Sequence, residues 1–320
     1  MNFSRLYRHL SVLCLLFTGC QLAFAQIQIT DSHGKYSFEE PPKRVVVLNW
    51  ALAEQMLELG VKPVGMADID GFSKHAHSPQ VPIDTVDVGK RLSPALRKIK
   101  QLKPDIIVIG YSQRSLLRPL SNIATVIYFK NFGARYNNFE KSRERFTEIA
   151  KLFDKSELAR EKLSTLDNRL IELRNSLKSK FIQSNRQLPM VQLNVPSIER
   201  PNRSGTETWL FSKNSMPHYA ALALGLDALS ATEADQYGVS KHSAAELKDL
   251  IAQQADDGSL SNRQPVCELT LGSYAQGTAA HYVNESRCQH ELNYQNAFGG
   301  TMSILYLAES IYEALIATLD

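Results

Sequence analysis

Four cysteines and eight histidines are the residues here best suited to hold a metal or to exchange electrons. His75 and His77 form an H-x-H pair in "KHAHSP" that could take a bare metal or haem. A metal site needs three or four converging ligands, and no third residue stands near this pair. Cys14 and Cys20 fall in an apolar N-terminal stretch, which leaves Cys267 and Cys288 for the rest of the chain. In an oxidising compartment that pair reads as a disulfide closing a local loop. His281 and His290 lie close enough in sequence to keep a metal pair open, although the spacing is not that of a zinc module. Acyl-transfer and phosphate chemistry find no frame: G-x-S-x-G, H-E-x-x-H, a P-loop and a G-x-G-x-x-G after the first strand are all missing. "GSYAQG" and "FGGTMS" are Gly/Ser clusters without catalytic partners. Catalytic residues can converge from distant sequence, so a secreted envelope enzyme stays open as an alternative. So does an envelope interaction protein docking through a long helix.

The N-terminus sets the compartment. "MNFSRLYRHL" is a basic end, "LSVLCLLFTGC" an apolar stretch, and "AFA" before Gln26 a small-x-small cleavage site, so residues 1–25 read as an export signal. The apolar stretch is short for a membrane span. "FTGC" ending at Cys20 is a rival lipoprotein-type site, with Phe17 where leucine is usual. Cleavage after Ala25 and a soluble periplasmic product is the favoured expectation. The formal charge is +3, and the segment that leaves carries Arg5 and Arg8 and no acid. The remainder is close to neutral and carries no nucleic-acid footprint. With 43% hydrophobic and 22% charged residues over 320 positions, the chain can build a sizeable core in one large or two smaller domains.

The elements that would position a site follow from periodicity. "RVVVL" (44–48) is an unbroken apolar run that fits a strand buried on both faces. "LAEQMLELG" repeats apolar residues at Leu52, Met56 and Leu59 and stops at Gly60, which predicts a helix. "KPVGMA", "SPALRKIKQLKPDIIVIG" and "LRPLSNIATVIYF" continue the alternation, so residues 26–138 predict an α/β lobe with a mainly parallel sheet. Residues 139–184 hold no Gly or Pro. Phe146, Ile149, Leu152 and Phe153, then Leu163, Leu166, Leu170, Leu173 and Leu177, mark one helix face. One long connecting helix is expected there, and a second α/β lobe over 185–320. The expected fold is an α/β two-lobe clamshell with its cleft between the lobes, where ligands are commonly bound.

"RVVVLNWALAEQMLELGVKPVGMADIDGF", the spaced "VDVGKRLSPALRKIKQLKPDIIVIGYS" and the long mid-chain helix together resemble the periplasmic siderophore-binding proteins of ABC importers. The nearest type is the ferric-hydroxamate (ferrichrome-type) binder. The resemblance covers most of residues 43–255 and weakens over 256–295. It implies a class III periplasmic-binding-protein clamshell that captures a ferric siderophore and delivers it to an inner-membrane ABC permease. The protein would be a monomer with no permanently bound cofactor, the Fe(III)–siderophore complex being its cargo. A haem or other iron-chelate binder of the same fold is the alternative.

The resemblance also implies a site. Arg91, after "DVGK", would reach the ligand's iron-bound oxygens; a guanidinium offers a fixed fork of donors for clustered acceptors. Trp50 and Tyr111 would be aromatic walls at strand carboxyl ends. Tyr237 and Phe298 match weaker aromatic positions of the second lobe. His75 and Asn296 stand where relatives carry Trp. A more polar pocket of this kind would suit a hydroxamate that also carries carboxylates, such as a citrate-based one. Relatives dock their permease through an acid on each lobe. "SQRSLLRPL" after Tyr111 is basic instead, and Glu246 is the second-lobe candidate, a plain helix-surface carboxylate being its ordinary reading.

Overall fold

β3 (Val45–Val47) is buried along its whole length, as its unbroken valine run requires. The computed structural model describes residues 26–75, 78–134, 137–195, 207–255, 265–271, 288–292 and 299–319. In the first lobe β3 pairs in parallel with β4 (Gly65–Met66) and β8 (Ile106–Gly110). β5 (Val86–Asp87) and β9 (Thr125–Phe129) complete a parallel sheet in the order β5-β4-β3-β8-β9. Alternate residues feed two cores. Val45, Val47 and Val108 face one side; Val46, Ile107 and Ile109 face the other.

Four helices flank this sheet: α1 (Trp50–Glu58), α2 (Ile69–His75), α3 (Leu96–Gln101) and α4 (Leu117–Ser121). Two antiparallel pairs add to them. β1 (Ile27–Thr30) and β2 (Lys35–Phe38) form a hairpin beside β9. β6 (Gly89–Lys90) and β7 (Ser93–Pro94) form a tighter one.

The stretch expected as one helix is two: α5 (Asn138–Leu152) and α6 (Ser156–Gln183). The break is a helix cap made without glycine. Asp154 takes a left-handed φ of 54°, and the Lys155 N–H reaches back to the Ala150 carbonyl at 2.7 Å. Asp tolerates this conformation better than most side chains, so neither Gly nor Pro is needed. α6 joins the lobes. Leu158 and Ala159 pack into the first core, Leu163 touches both cores, and Leu166, Leu170, Leu173, Leu177 and Phe181 belong to the second.

The second lobe is built on a five-stranded mixed sheet. β10 (Met190–Asn194), β13 (Val266–Leu271) and β14 (Gln289–Leu292) run parallel. β11 (Glu207–Phe211) runs antiparallel to both β10 and β12 (Val239–Ser243), which gives the order β12-β11-β10-β13-β14. α7 (Met216–Ala223), α8 (Ala244–Ala255) and α9 (Ser303–Ile316) cover it. Cys267 and Cys288 are joined by a disulfide. Cys267 lies in β13 and is fully buried, so the bridge that closes this loop also ties the second core to the residue before β14.

The lobes are locked beside the connection. The Asn138 side chain donates to the carbonyls of Asn214 at 2.9 Å and Gln236 at 3.0 Å, and accepts from the Gly133 N–H at 3.0 Å. Asn214 answers with bonds to the Gly133 carbonyl and the Asn138 N–H, both at 2.9 Å. Such a network, with α6 spanning both cores, favours small relative motion of the lobes.

Candidate ligand-binding site

The "DVG" motif is a positioning device. One Asp87 carboxylate oxygen accepts from the Gly89 N–H at 2.6 Å and the other from the Ile69 N–H, at the start of α2, at 3.0 Å. Gly89 has a φ of +93°, which a side chain would rarely adopt. The β6–β7 hairpin therefore turns tightly and carries Arg91 at its tip.

Arg91 lies over Trp50. Its Cζ is 3.7 Å from the indole centroid, a cation–π contact. Its Nε is 3.6 Å from a carboxylate oxygen of Asp68, a residue that precedes α2 with a left-handed φ of 56°. Trp50 is buried against Phe72, edge to face, and donates its Nε1–H to the Ala67 carbonyl at 3.2 Å. Both sides of the contact are thus fixed, and Arg91 keeps nearly half its side-chain surface exposed.

A buried amide trio, Asn49, Gln113 and Asn131, begins one residue before Trp50. Asn49 caps α1, donates to Gln113 at 3.4 Å and accepts from Asn131 at 3.2 Å. Gln113 and Asn131 in turn accept from the Gly110 and Tyr111 N–H groups, each at 3.2 Å. The trio links the carboxyl ends of β3, β8 and β9, the edge at which open α/β sheets bind ligands. A side chain at Gly110 would lie 2.5 Å from the Asn49 amide, so the close approach needs glycine.

Tyr111 opens the short 3-10 turn after β8. The Arg114 guanidinium carbon is 4.2 Å and the Lys130 Nζ 5.8 Å from its ring centroid. Arg114 has no carboxylate partner among the described residues. Phe132, one residue past Asn131, meets Tyr237 of the second lobe with ring centroids 5.1 Å apart. A surface hollow of about 510 Å³, lined by His33, Ser112, Arg114, Ser115, Leu117 and Tyr128, includes none of Trp50, Arg91 or Tyr237. It borders the site through Arg114 and is not the cleft.

Arg91 and Trp50 stack on each other, Tyr111 follows β8 at the carboxyl edge of the same sheet, and Tyr237 meets Phe132 from the second lobe. His75 is the last residue of helix α2. His77, His281, Asn296 and Phe298 lie outside the described residues. Among the described residues no three His, Cys, Asp or Glu side chains converge on a metal position. Glu246 is occupied locally: its carboxylate accepts from the Ser243 N–H and hydroxyl and caps α8. Those bonds hold its carboxyl below the usual range. Sequence reasoning missed Asp68 and the amide trio. Asp68 in "ADIDGF" had a sequence signal, an acid just before a helix start; the trio had none.

The sequence pattern of the periplasmic binding protein family matches residues 45–199. A solved structure described as the Fe3+–Desferal-bound siderophore binding protein FhuD from Vibrio cholerae is 30% identical. It aligns over 86% of this chain and 98% of that one with a TM-score of 0.73. The chain belongs to the periplasmic binding protein family and has its class III two-lobe fold. Among curated relatives, the Fe(3+)-citrate-binding protein YfmC of Bacillus subtilis is 34% identical over 42% of this chain and 42% of its own length. The iron(3+)-hydroxamate-binding protein FhuD of Escherichia coli is 28% identical over 44% of this chain and 46% of its own length. The chain spans less than half the length of these two relatives.

Proposed function

We propose that the protein is the exported binding component of an ABC importer that captures a ferric hydroxamate siderophore between its lobes and hands it to an inner-membrane permease. The observation that carries this reading is Arg91 held over Trp50 at the carboxyl edge of the first sheet. A braced guanidinium with exposed N–H groups suits the clustered, negatively polarised oxygens around a chelated iron. Tyr111 and Tyr237 supply broad walls with polar tips. The Desferal-bound relative and the hydroxamate-binding relative support the same ligand chemistry. A ferric citrate-type chelate is the second reading, favoured by Arg114 and Lys130 around Tyr111, which add charge suited to free carboxylates. Their presence also fits a hydroxamate built on citrate.

Tryptophan-fluorescence titration separates these ligands. Ferric trihydroxamate, ferric citrate-hydroxamate, ferric citrate, ferric catecholate and haem are added in parallel to the wild type and to Arg91→Ala. Saturable quenching by a hydroxamate complex, weakened in the variant, is the expected result. Quenching by ferric citrate alone moves the assignment to the second reading. Quenching by haem alone overturns both and points to the His75/His77 segment. No response to any iron complex overturns the iron-chelate function.

A further inference from the structure

Glu54 lies one helical turn beyond Trp50, yet it faces the other lobe. It is 2% exposed. Its Oε1 accepts from the Ser303 hydroxyl at 2.7 Å, and the Gly300 and Ser303 N–H groups also bond to the carboxyl. Oε2 has no hydrogen-bond partner. A Cβ at Gly300 would lie 2.4 Å from Oε1, so the backbone approaches closer than any other residue permits. One turn on, Glu58 accepts from the Tyr306 hydroxyl at 3.0 Å and pairs with Lys162 at 2.9 Å. Two acids four apart on α1 thus meet two hydroxyls three apart on α9, the helix that fills the second core. Phe132 of the first lobe packs against Gly299 beside them, leaving no room for a side chain there.

We propose that Glu54 is a positioning residue: its protonated carboxyl latches the N-terminal end of α9 to the first lobe, sets the spacing of the lobes, and loosens when the proton is lost. The effect on ligand release rests on the binding function proposed above; the latch itself does not.

The chemistry has a definite sign. Burial is the largest influence and pushes the carboxyl up to about 8; the neighbouring Glu58 adds to this, while the bonds from Ser303 and Gly300 oppose it. The groups around it are few. Glu58 is paired with Lys162 of α6. Tyr306 of α9 is held neutral by burial first and by Glu58 next, with its hydroxyl pushed up to about 12. Arg145, on α5 packed against α1, is buried. Once opened to water, Glu54 returns to the ordinary carboxylate value of 4.5. The closed latch therefore holds a proton that the open one releases. Opening becomes easier as pH rises from about 4.5 to about 8 and gains nothing above that.

Hydrogen-exchange protection of the first turn of α9, corrected for intrinsic rates and followed from pH 5.5 to 9, tests this. Wild-type protection should fall with pH, by at most roughly tenfold per unit, and level off above about pH 8. Glu54→Gln keeps the shape without the proton and should show a flat profile. Ser303→Ala removes a donor that favours the charged form, so its plateau should move to higher pH; it also serves if Glu54→Gln fails to fold. A flat wild-type profile, or a Glu54→Gln profile that falls like wild type, overturns the latch. Dissociation of a bound ferric hydroxamate should speed up over the same pH window in wild type only. A pH-dependent protection profile with pH-independent dissociation overturns the role in lobe spacing. If no iron chelate binds, the exchange result stands alone, so the two proposals fail separately.

Discussion

Arg91 and Trp50 form a stacked pair, guanidinium over indole at 3.7 Å, at the tip of a two-residue hairpin turn. Asp68 braces the guanidinium from one side while Ala67 anchors the indole from beneath. The pair joins a hairpin to the first residue of α1, two elements that share no strand pairing. A perturbation at Arg91 should therefore change Trp50 emission.

Removing the guanidinium should weaken binding of the preferred ferric chelate by roughly ten- to a hundredfold, through lost charge-assisted bonds and a lost wall contact. Arg91→Lys should recover only part of this, because an ammonium cannot fork or stack in the same way. Trp50 emission should change in Arg91→Ala even without ligand. Affinity equal to wild type in Arg91→Ala would remove Arg91 from the site.

The Asn138 network between the lobes gives a stability prediction. Asn138→Ala leaves the Gly133 N–H and the Asn214 and Gln236 carbonyls without their partner. Stranding partly buried groups of this kind should cost roughly 2–4 kcal/mol. Urea unfolding monitored by circular dichroism measures it. A loss below half a kilocalorie would mean that water replaces Asn138 freely.

Much of this architecture was legible in residue order, and what was not has physical reasons. The valine run of β3 and the leucine stripe of α6 report burial directly, since each period matches its element. Trp50 and Tyr111 were placed at strand carboxyl ends by the same patterns. The break at Asp154 was hidden because a left-handed cap needs no glycine when aspartate fills it. Asn49 bonds to Gln113 and Asn131 across 64 and 82 residues, and no local pattern encodes that convergence. Glu54 reads as an ordinary helix acid, because the lobe that buries it lies some 250 residues further along the chain.

His218 should govern part of the acid response. It is buried on α7, its Nδ1 has no partner, and its pKa is lowered to about 4, chiefly by burial and secondarily by Lys213. In the unfolded chain it protonates near 6.5. Stability is therefore lost as pH falls from about 6.5 towards 4, by roughly 3 kcal/mol at most. Glu54 acts with the opposite sign, gaining stability as pH falls below about 8. The comparison of His218→Gln with wild type isolates the histidine: the variant should lose less stability between pH 6.5 and 4.5. Parallel Tm-versus-pH curves for the two proteins would contradict this.

The Cys267–Cys288 bridge spans 21 residues and starts inside the second core. Closing a loop of that length restricts the unfolded chain and should contribute roughly 3 kcal/mol. Replacing both cysteines with alanine should lower the Tm by several degrees, and reductant should do the same to wild type but not to the variant. The bridge lies in β13 and just before β14, away from Arg91, Trp50 and Tyr111. A stability loss with ligand affinity held within a few fold of wild type is the expected pattern. A Tm that ignores both reductant and the double replacement would mean that the two thiols do not pair in solution. A collapse of affinity with the Tm unchanged would place this end of the second sheet in direct contact with the ligand.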